Sequence, residues 1–422
     1  MDKEFSSGGD PANYHEMAVN IVESRSLENF NPKKVPGYPV AIAIVYLIFG
    51  PNPATVILLQ QFISILSIYL LIQIASLLFR PKIGLVAGII YAFDPHSIFY
   101  SLTLMSETIF ICIFLFAVYL LLRSIQTRKL SYFIYTGILL ATGTYFKNVL
   151  IYFPLLLSGL LLIYYRQNRL LMSKILIMLT MYCMLLLPWF FYNYSQYGSI
   201  GFSTLRGRNM LLYNVAICES VRTGKDIQLV RSELKEKAGE KYKLEGKDPI
   251  YVAKKYASYS HNYIKSNLFY YSLIHLRGIR NAIFDQSRVK IVDYFMDKEE
   301  QSSYSYKLKD VNREMVFGKA MGRFRGYFNT SKEAVILGIT ISVYMIIVYA
   351  SCVIGLFTLV RRHRYKILLF IGFILIYFLG LAGVVGIVRY KLPIVPFYSI
   401  ISALGIWVVY IKFRRSTKDV TG

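Results

Sequence analysis

Apolar runs as long as a membrane-crossing helix recur along this sequence, and that recurrence limits the possible folds more than any other feature. Spans are expected near 54–79, 83–100, 106–124, 130–146, 148–166, 174–193, 334–360, 367–387 and 392–411. Each holds about 17–27 residues, enough for a helix to cross a hydrocarbon core of about 30 Å, with tilt for the longer ones. Backbone groups in lipid must be satisfied internally, so helices are the default. The expected fold is an all-α polytopic membrane protein with about nine transmembrane helices, outer loops and a mostly helical extracytoplasmic segment. The run 38–49 is too short to cross and is bounded by Pro39 and Gly50-Pro51, so it reads as a helix at the interface. Composition agrees: 55% of residues are hydrophobic and 17% charged. About a quarter would be charged in a soluble domain, so the deficit argues against a soluble enzyme and rules out a disordered chain.

Charge sets the orientation. The 48 Lys and Arg outnumber the 24 Asp and Glu, a net charge of +24. These cations punctuate apolar spans rather than forming one stripe, which argues for lipid headgroups and against nucleic acid. Every second short loop is basic: Arg80 and Lys82, Arg123 to Lys129, Arg166 to Lys174, Arg361 to Lys366, then Lys412 to Arg415. The positive-inside rule makes that side cytoplasmic, with residues 195–333 outside and the C-terminus inside. Cys112, Cys183 and Cys352 lie in apolar runs and Cys218 in a polar region. Their spacing gives neither a metal knuckle nor a disulfide framework, and they read as small apolar side chains.

This topology divides the chain into five parts. Residues 1–53 are a first outer loop with the interfacial helix and an acidic motif. Residues 54–194 form a transmembrane bundle, 195–333 an extracytoplasmic domain, 334–412 the C-terminal transmembrane helices, and 413–422 a cytoplasmic tail. Asn329-Thr330-Ser331 matches a glycosylation sequon, a triplet too common to carry weight. Met1 lies nine residues before the first motif, on the outer side, with no span to deliver it there. The expectation is that an upstream helix is missing.

Ionisable residues at a membrane edge are costly and mark candidate sites. Asp10, Lys33, Lys34, Asp94, His96, Glu107, Lys147, Arg389 and Lys391 all map to the outer face. Cations there can hold a lipid phosphate and stabilise charge as it departs, and a carboxylate can take a proton from an acceptor hydroxyl. Each residue also has a structural reading. Asp10 suits a turn or helix cap, Asp94 before Pro95 a helix stop, and Glu107 after Ser106 the start of a span. Lys147 and Arg389 suit snorkelling anchors, and His96 a satisfied interfacial histidine. No His, Cys and carboxylate spacing suggests a metal, and no phosphate-binding glycine loop or serine nucleophile elbow occurs. No cofactor is expected, and the sequence does not decide divalent-metal dependence.

The run Gly9-Asp10-Pro11-Ala12-Asn13-Tyr14-His15-Glu16-Met17-Ala18, followed by Lys34-Val35-Pro36-Gly37-Tyr38-Pro39 and Leu47-Ile48-Phe49-Gly50, resembles the GT-C superfamily of integral-membrane glycosyltransferases. The likeness is greatest to the branch of protein O-mannosyltransferases and the lipid A aminoarabinose transferase. Ser106-Glu107, Gly143 to Lys147, Gly207 to Leu211 with Tyr213-Asn214, and Arg389-Tyr390-Lys391-Leu392-Pro393 follow in matching order. The resemblance implies transfer of a sugar from a polyprenyl-phosphate donor to an acceptor hydroxyl on the outer face, usually with inversion. The acceptor is a lipid, glycan or protein. Asp10 would be the base, and Lys34, Lys147 and Arg389 would hold the donor phosphate. Tyr14, Glu107 and His96 would be supporting polar groups. The chain departs from the family where Asp10 is followed by Pro11 instead of Glu, and where Lys147-Asn148 replaces Arg-Pro. A Lys binds phosphate as a point charge, without the fork of an Arg.

Two other readings remain. A ligase or polymerase of lipid-linked glycans would use similar donor chemistry. A transporter or flippase of lipid-linked sugars would need paired repeats, broken helices and polar groups near the midplane. No broken helix is expected here, and the span interiors read as almost purely apolar.

Overall fold

A computed structural model describes residues 9–27, 30–287, 291–292, 294 and 332–420, with side chains to 414. The Asn329-Thr330-Ser331 triplet and part of the expected extracytoplasmic segment lie outside the described residues. All regular structure among the described residues is helical. In chain order the helices are α1 (Asp10–Ser24), α2 (Gly37–Phe49), α3 (Pro53–Leu78), α4 (Pro81–Ala92), α5 (Pro95–Ser101), α6 (Glu107–Thr127), α7 (Leu130–Phe146), α8 (Phe153–Tyr164) and α9 (Arg169–Tyr197). Then come α10 (Leu205–Asn209), α11 (Ala216–Thr223), α12 (Ile227–Tyr242), α13 (Pro249–Ser266) and α14 (Leu268–Phe284). The last are α15 (Lys332–Arg361), α16 (Tyr365–Leu381) and α17 (Val395–Val420).

The chain is an all-α polytopic membrane protein. Among the described residues five helical runs are long and apolar enough to cross a membrane: α3, α6, α9, α15 and Val388–Arg414. A sixth passes only if α4 and α5 are counted together, and those two are bent by 62°. The other expected spans are shorter. α7 has 17 residues, and the apolar helices at Asn148–Tyr164 and Tyr365–Leu381 are also below 18. Seventeen residues rise about 25 Å, the short end of what crosses a hydrocarbon core.

The bend corrects two expectations: segment 83–100 is not one helix, and a broken helix does occur. Its cause is local. Pro95 keeps Asp94 out of the helical region, and Asp94 adopts φ −68°, ψ 116°. The Asp94 carboxylate then caps α5, accepting from the Ser97 amide at 2.8 Å, and accepts from the Tyr398 hydroxyl at 3.2 Å. Span interiors are not purely apolar either, because Gln60 lies fully buried within α3.

The chain divides into two compact units. The first is Met1–Ser203, Val348–Phe378 and Leu392–Gly422; the second is Thr204–Ile347 and Leu379–Lys391. Aromatic rings fill the core of the first. Phe114 of α6 meets Phe153 at 5.2 Å, Phe378 at 5.3 Å and Phe397 at 5.8 Å, which ties α8, α16 and α17 to it. In the same unit Gly355 and Gly405 let α15 and α17 touch backbone to backbone; a Cβ at Gly405 would lie 1.9 Å from the Ser351 carbonyl oxygen.

The second unit has its own core of Leu211, Leu212, Val215, Val230, Leu234 and Ala238. Glu219 accepts from Tyr263 at 2.7 Å and from both Nε and Nη2 of Arg222. Those bonds hold its carboxyl below the usual range, the Arg222 guanidinium contributing most. Lys391 is buried in this unit and donates to the Ile283 carbonyl at 3.2 Å.

Candidate active site

The acidic motif opens a helix. Asp10 is the first residue of α1, after Gly9 at the N-cap and before Pro11, so its carboxylate lies at the positive end of the helix. It is not the capping residue itself. Lys34, in the turn before α2, reaches back 24 residues to place Nζ 2.5 Å from Asp10 Oδ1. The Lys34 ammonium also lies 4.6 Å from the centroid of the Tyr14 ring, one helical turn beyond Asp10. Lys34 has 12% of its side chain exposed and Asp10 34%, so the carboxylate can be approached from solvent.

A second pair forms at the start of α6. Lys147, at the C-terminal end of α7, donates to Glu107 Oε1 at 2.8 Å. Glu107 is 1% exposed. The Lys147 ammonium lies 5.6 Å from the centre of the Phe110 ring. Asn148, next in the chain, donates from Nδ2 to Ser203 Oγ at 2.8 Å.

The two pairs are brought together by α2. Its first residue, Gly37, packs on the end of α7: a Cβ there would lie 2.6 Å from the carbonyl oxygen of Tyr145, two residues before Lys147. Gly37→Ala is therefore expected to destabilise this contact by about 1–3 kcal/mol, because a backbone atom cannot yield as a side chain does. Thermal unfolding in detergent checks this, and an unchanged midpoint would contradict the contact. Tyr38 sets its ring edge-on to Tyr14 at 4.8 Å and donates to Gln60 Oε1 at 2.7 Å. Burial raises the Tyr38 phenol pKa well above its ordinary value, and the nearby Tyr14, Glu107 and Tyr46 raise it further.

Six of the seven residues singled out from sequence thus lie in the first unit: Asp10, Tyr14, Lys34, His96, Glu107 and Lys147. Of these, Asp10, Tyr14 and Lys34 form one cluster and Glu107 and Lys147 another. His96 is buried in α5, whose helix packs on α6. Arg389 belongs to the second unit, in the 3-10 turn Val388–Ile394. Tyr38 and Gln60 were not singled out as site residues. The Gln60-Gln61 pair inside an apolar span was the available signal for Gln60; Tyr38 stood in the family-like motif without a role. Among the described residues no three His, Cys, Asp or Glu side chains gather in a metal-binding cluster.

Residues 33–192, which include Lys34, Tyr38, Gln60, Glu107 and Lys147, match the family described as dolichyl-phosphate-mannose-protein mannosyltransferase. The helical architecture matches the crystal structure of the Archaeoglobus fulgidus oligosaccharyltransferase, tethered with an acceptor peptide through a disulfide bond, with a TM-score of 0.51. Over residues 33–192 the sequence is similar to that family, and the helical fold is similar to that of the archaeal enzyme. At 14% identity the archaeal match speaks to the fold alone; it covers 96% of this chain and 46% of that one, so this chain spans about half the length of that enzyme. ArnT from Cupriavidus metallidurans, bound to undecaprenyl phosphate, aligns over 94% of this chain and 72% of its own at 12% identity, with a TM-score of 0.39. The apo form of that protein aligns at 12% identity over 94% and 73%, with a TM-score of 0.37. No curated protein sequence matches the chain.

Proposed function

We propose that this GT-C-like chain is a membrane glycosyltransferase. It moves a hexosyl or pentosyl group from a polyprenyl-phosphate donor to a hydroxyl of a lipid, glycan or protein on the outer face of the cell membrane. The observation that carries the reading is the pair of carboxylate–lysine contacts at Asp10–Lys34 and Glu107–Lys147, linked by α2. Ionisable groups at a membrane edge are costly even when paired with one another, and they mark candidate substrate sites.

In this reading Asp10 is the base. Its carboxylate takes the proton of the acceptor hydroxyl as that oxygen attacks the anomeric carbon. The bond from the anomeric carbon to the phosphate oxygen breaks, and its electron pair leaves on the carrier phosphate. Lys34 and Lys147 hold that phosphate and offset its growing charge. Attack from the side opposite the phosphate inverts the anomeric configuration. Glu107 fixes the Lys147 ammonium, Tyr14 carries Lys34 on its ring face, and His96 supports the start of α6 from α5. Among the described residues, the bend between α4 and α5 is a feature that favours a transporter. Its acid, Asp94, is already bound to the Ser97 amide and the Tyr398 hydroxyl, which makes the bend a fixed corner.

Native mass spectrometry with undecaprenyl phosphate tests the phosphate site. The protein is expected to retain the phosphate and not undecaprenol. Lys34→Gln is expected to weaken retention about tenfold or more, the loss of one charge-assisted contact. Equal retention of both lipids would contradict the reading.

A further inference from the structure

We propose that Tyr38 and Gln60 are positioning residues: the hydrogen bond from Tyr38 Oη to Gln60 Oε1 fixes the Asp10–Lys34 pair relative to the Glu107–Lys147 pair. This rests on the glycosyltransferase reading for its consequence in turnover, and on geometry alone for its consequence in structure.

Both side chains are fully buried. A buried amide inside an apolar helix must find partners, and Gln60 uses both ends of its amide. Its oxygen accepts from Tyr38 at 2.7 Å, and its nitrogen donates to the Thr103 carbonyl at 2.9 Å and the Ser101 carbonyl at 3.3 Å. Those carbonyls belong to the link between α5 and α6 that delivers Glu107. Gln61 pins the same link, donating to the Ser101 carbonyl at 2.6 Å and accepting from Ser101 Oγ at 3.2 Å. On the other side, the Tyr38 ring abuts Tyr14, whose face carries Lys34, which holds Asp10.

The contacts therefore run from the proposed base to the second carboxylate through one hydroxyl. The close approach of Gly37 to the Tyr145 carbonyl closes the ring two residues short of Lys147. A Leu at position 60 opposite a Phe at 38 would fill similar space with no polar group to desolvate. The bond thus contributes placement more than net stability.

Tyr38→Phe removes only the hydroxyl and keeps the ring on Tyr14. Gln60→Leu removes the other partner, and the double variant leaves neither partner orphaned. With the polyprenyl-phosphate sugar that the parent protein uses, all three are expected to lose about tenfold or more in kcat with the donor KM within twofold, as misplaced groups do. The double variant is expected to be no worse than Gln60→Leu, because Tyr38→Phe removes only a bond that Gln60→Leu already removes. It should also unfold at the parent temperature. Amide hydrogen exchange at residues 102–107 is expected to rise in Gln60→Leu and the double variant, whatever the substrate. Unchanged exchange there, or a double variant with parental kcat, would overturn the proposal. Asp10→Asn is assayed alongside. Full turnover in that variant would refute the role of Asp10, and the exchange measurement would still decide whether the strut exists.

Discussion

Asp10→Asn is expected to reduce sugar transfer by about 10²–10⁴-fold, the usual contribution of a general base. Asn keeps the shape of the side chain and cannot accept the proton. The loss should fall on kcat. Lys34, freed of the carboxylate 2.5 Å away, remains available to a phosphate, so affinity for undecaprenyl phosphate is expected to stay the same or rise. That combination separates loss of the base from loss of the phosphate site. Transfer within tenfold of the parent would remove Asp10 from the chemistry.

Lys147→Met is expected to cost about 3–5 kcal/mol of stability, because it leaves the Glu107 carboxylate buried without its cation. Glu107 is 1% exposed, which places its charge almost wholly out of water. Replacing both partners, Glu107→Leu with Lys147→Met, should recover most of that loss, since an apolar pair carries no desolvation cost. Thermal or denaturant unfolding in one detergent measures both variants. The double variant should remain inactive, because the proposed phosphate contact is gone. A single variant as stable as the parent would show that the pair does not hold the start of α6.

Helical membrane architecture was legible because it follows from apolar length alone. The number of long spans was not. α7 fills the expected 130–146, but α16 stops at Leu381, short of the expected 387, and the expected 148–166 is divided between a 3-10 turn and α8. The corner at Asp94-Pro95 was legible as a stop; that it splits the segment 83–100 was not, because the apolar run continues through it. In the candidate site, Asp10, Lys34, Glu107 and Lys147 stood out as charges beside apolar spans. Their pairing did not, since the partners are separated by 24 and 40 residues and meet only through helix packing, α1 on α2 for the first pair and α6 on α7 for the second. Gln60 was overlooked for the opposite reason. One amide barely alters the hydropathy of a 26-residue helix, although its hydrogen bonds hold the link that carries Glu107.

The most direct measurement of the central claim is donor turnover. Purified protein would be given a panel of radiolabelled polyprenyl-phosphate sugars together with envelope lipids, glycans and proteins as acceptors, and both the labelled product and the released polyprenyl phosphate would be counted. The account predicts equal amounts of the two from one donor, with both lost in Asp10→Asn. Folded protein that binds the donors and consumes none, or moves them across a vesicle membrane intact, would contradict it.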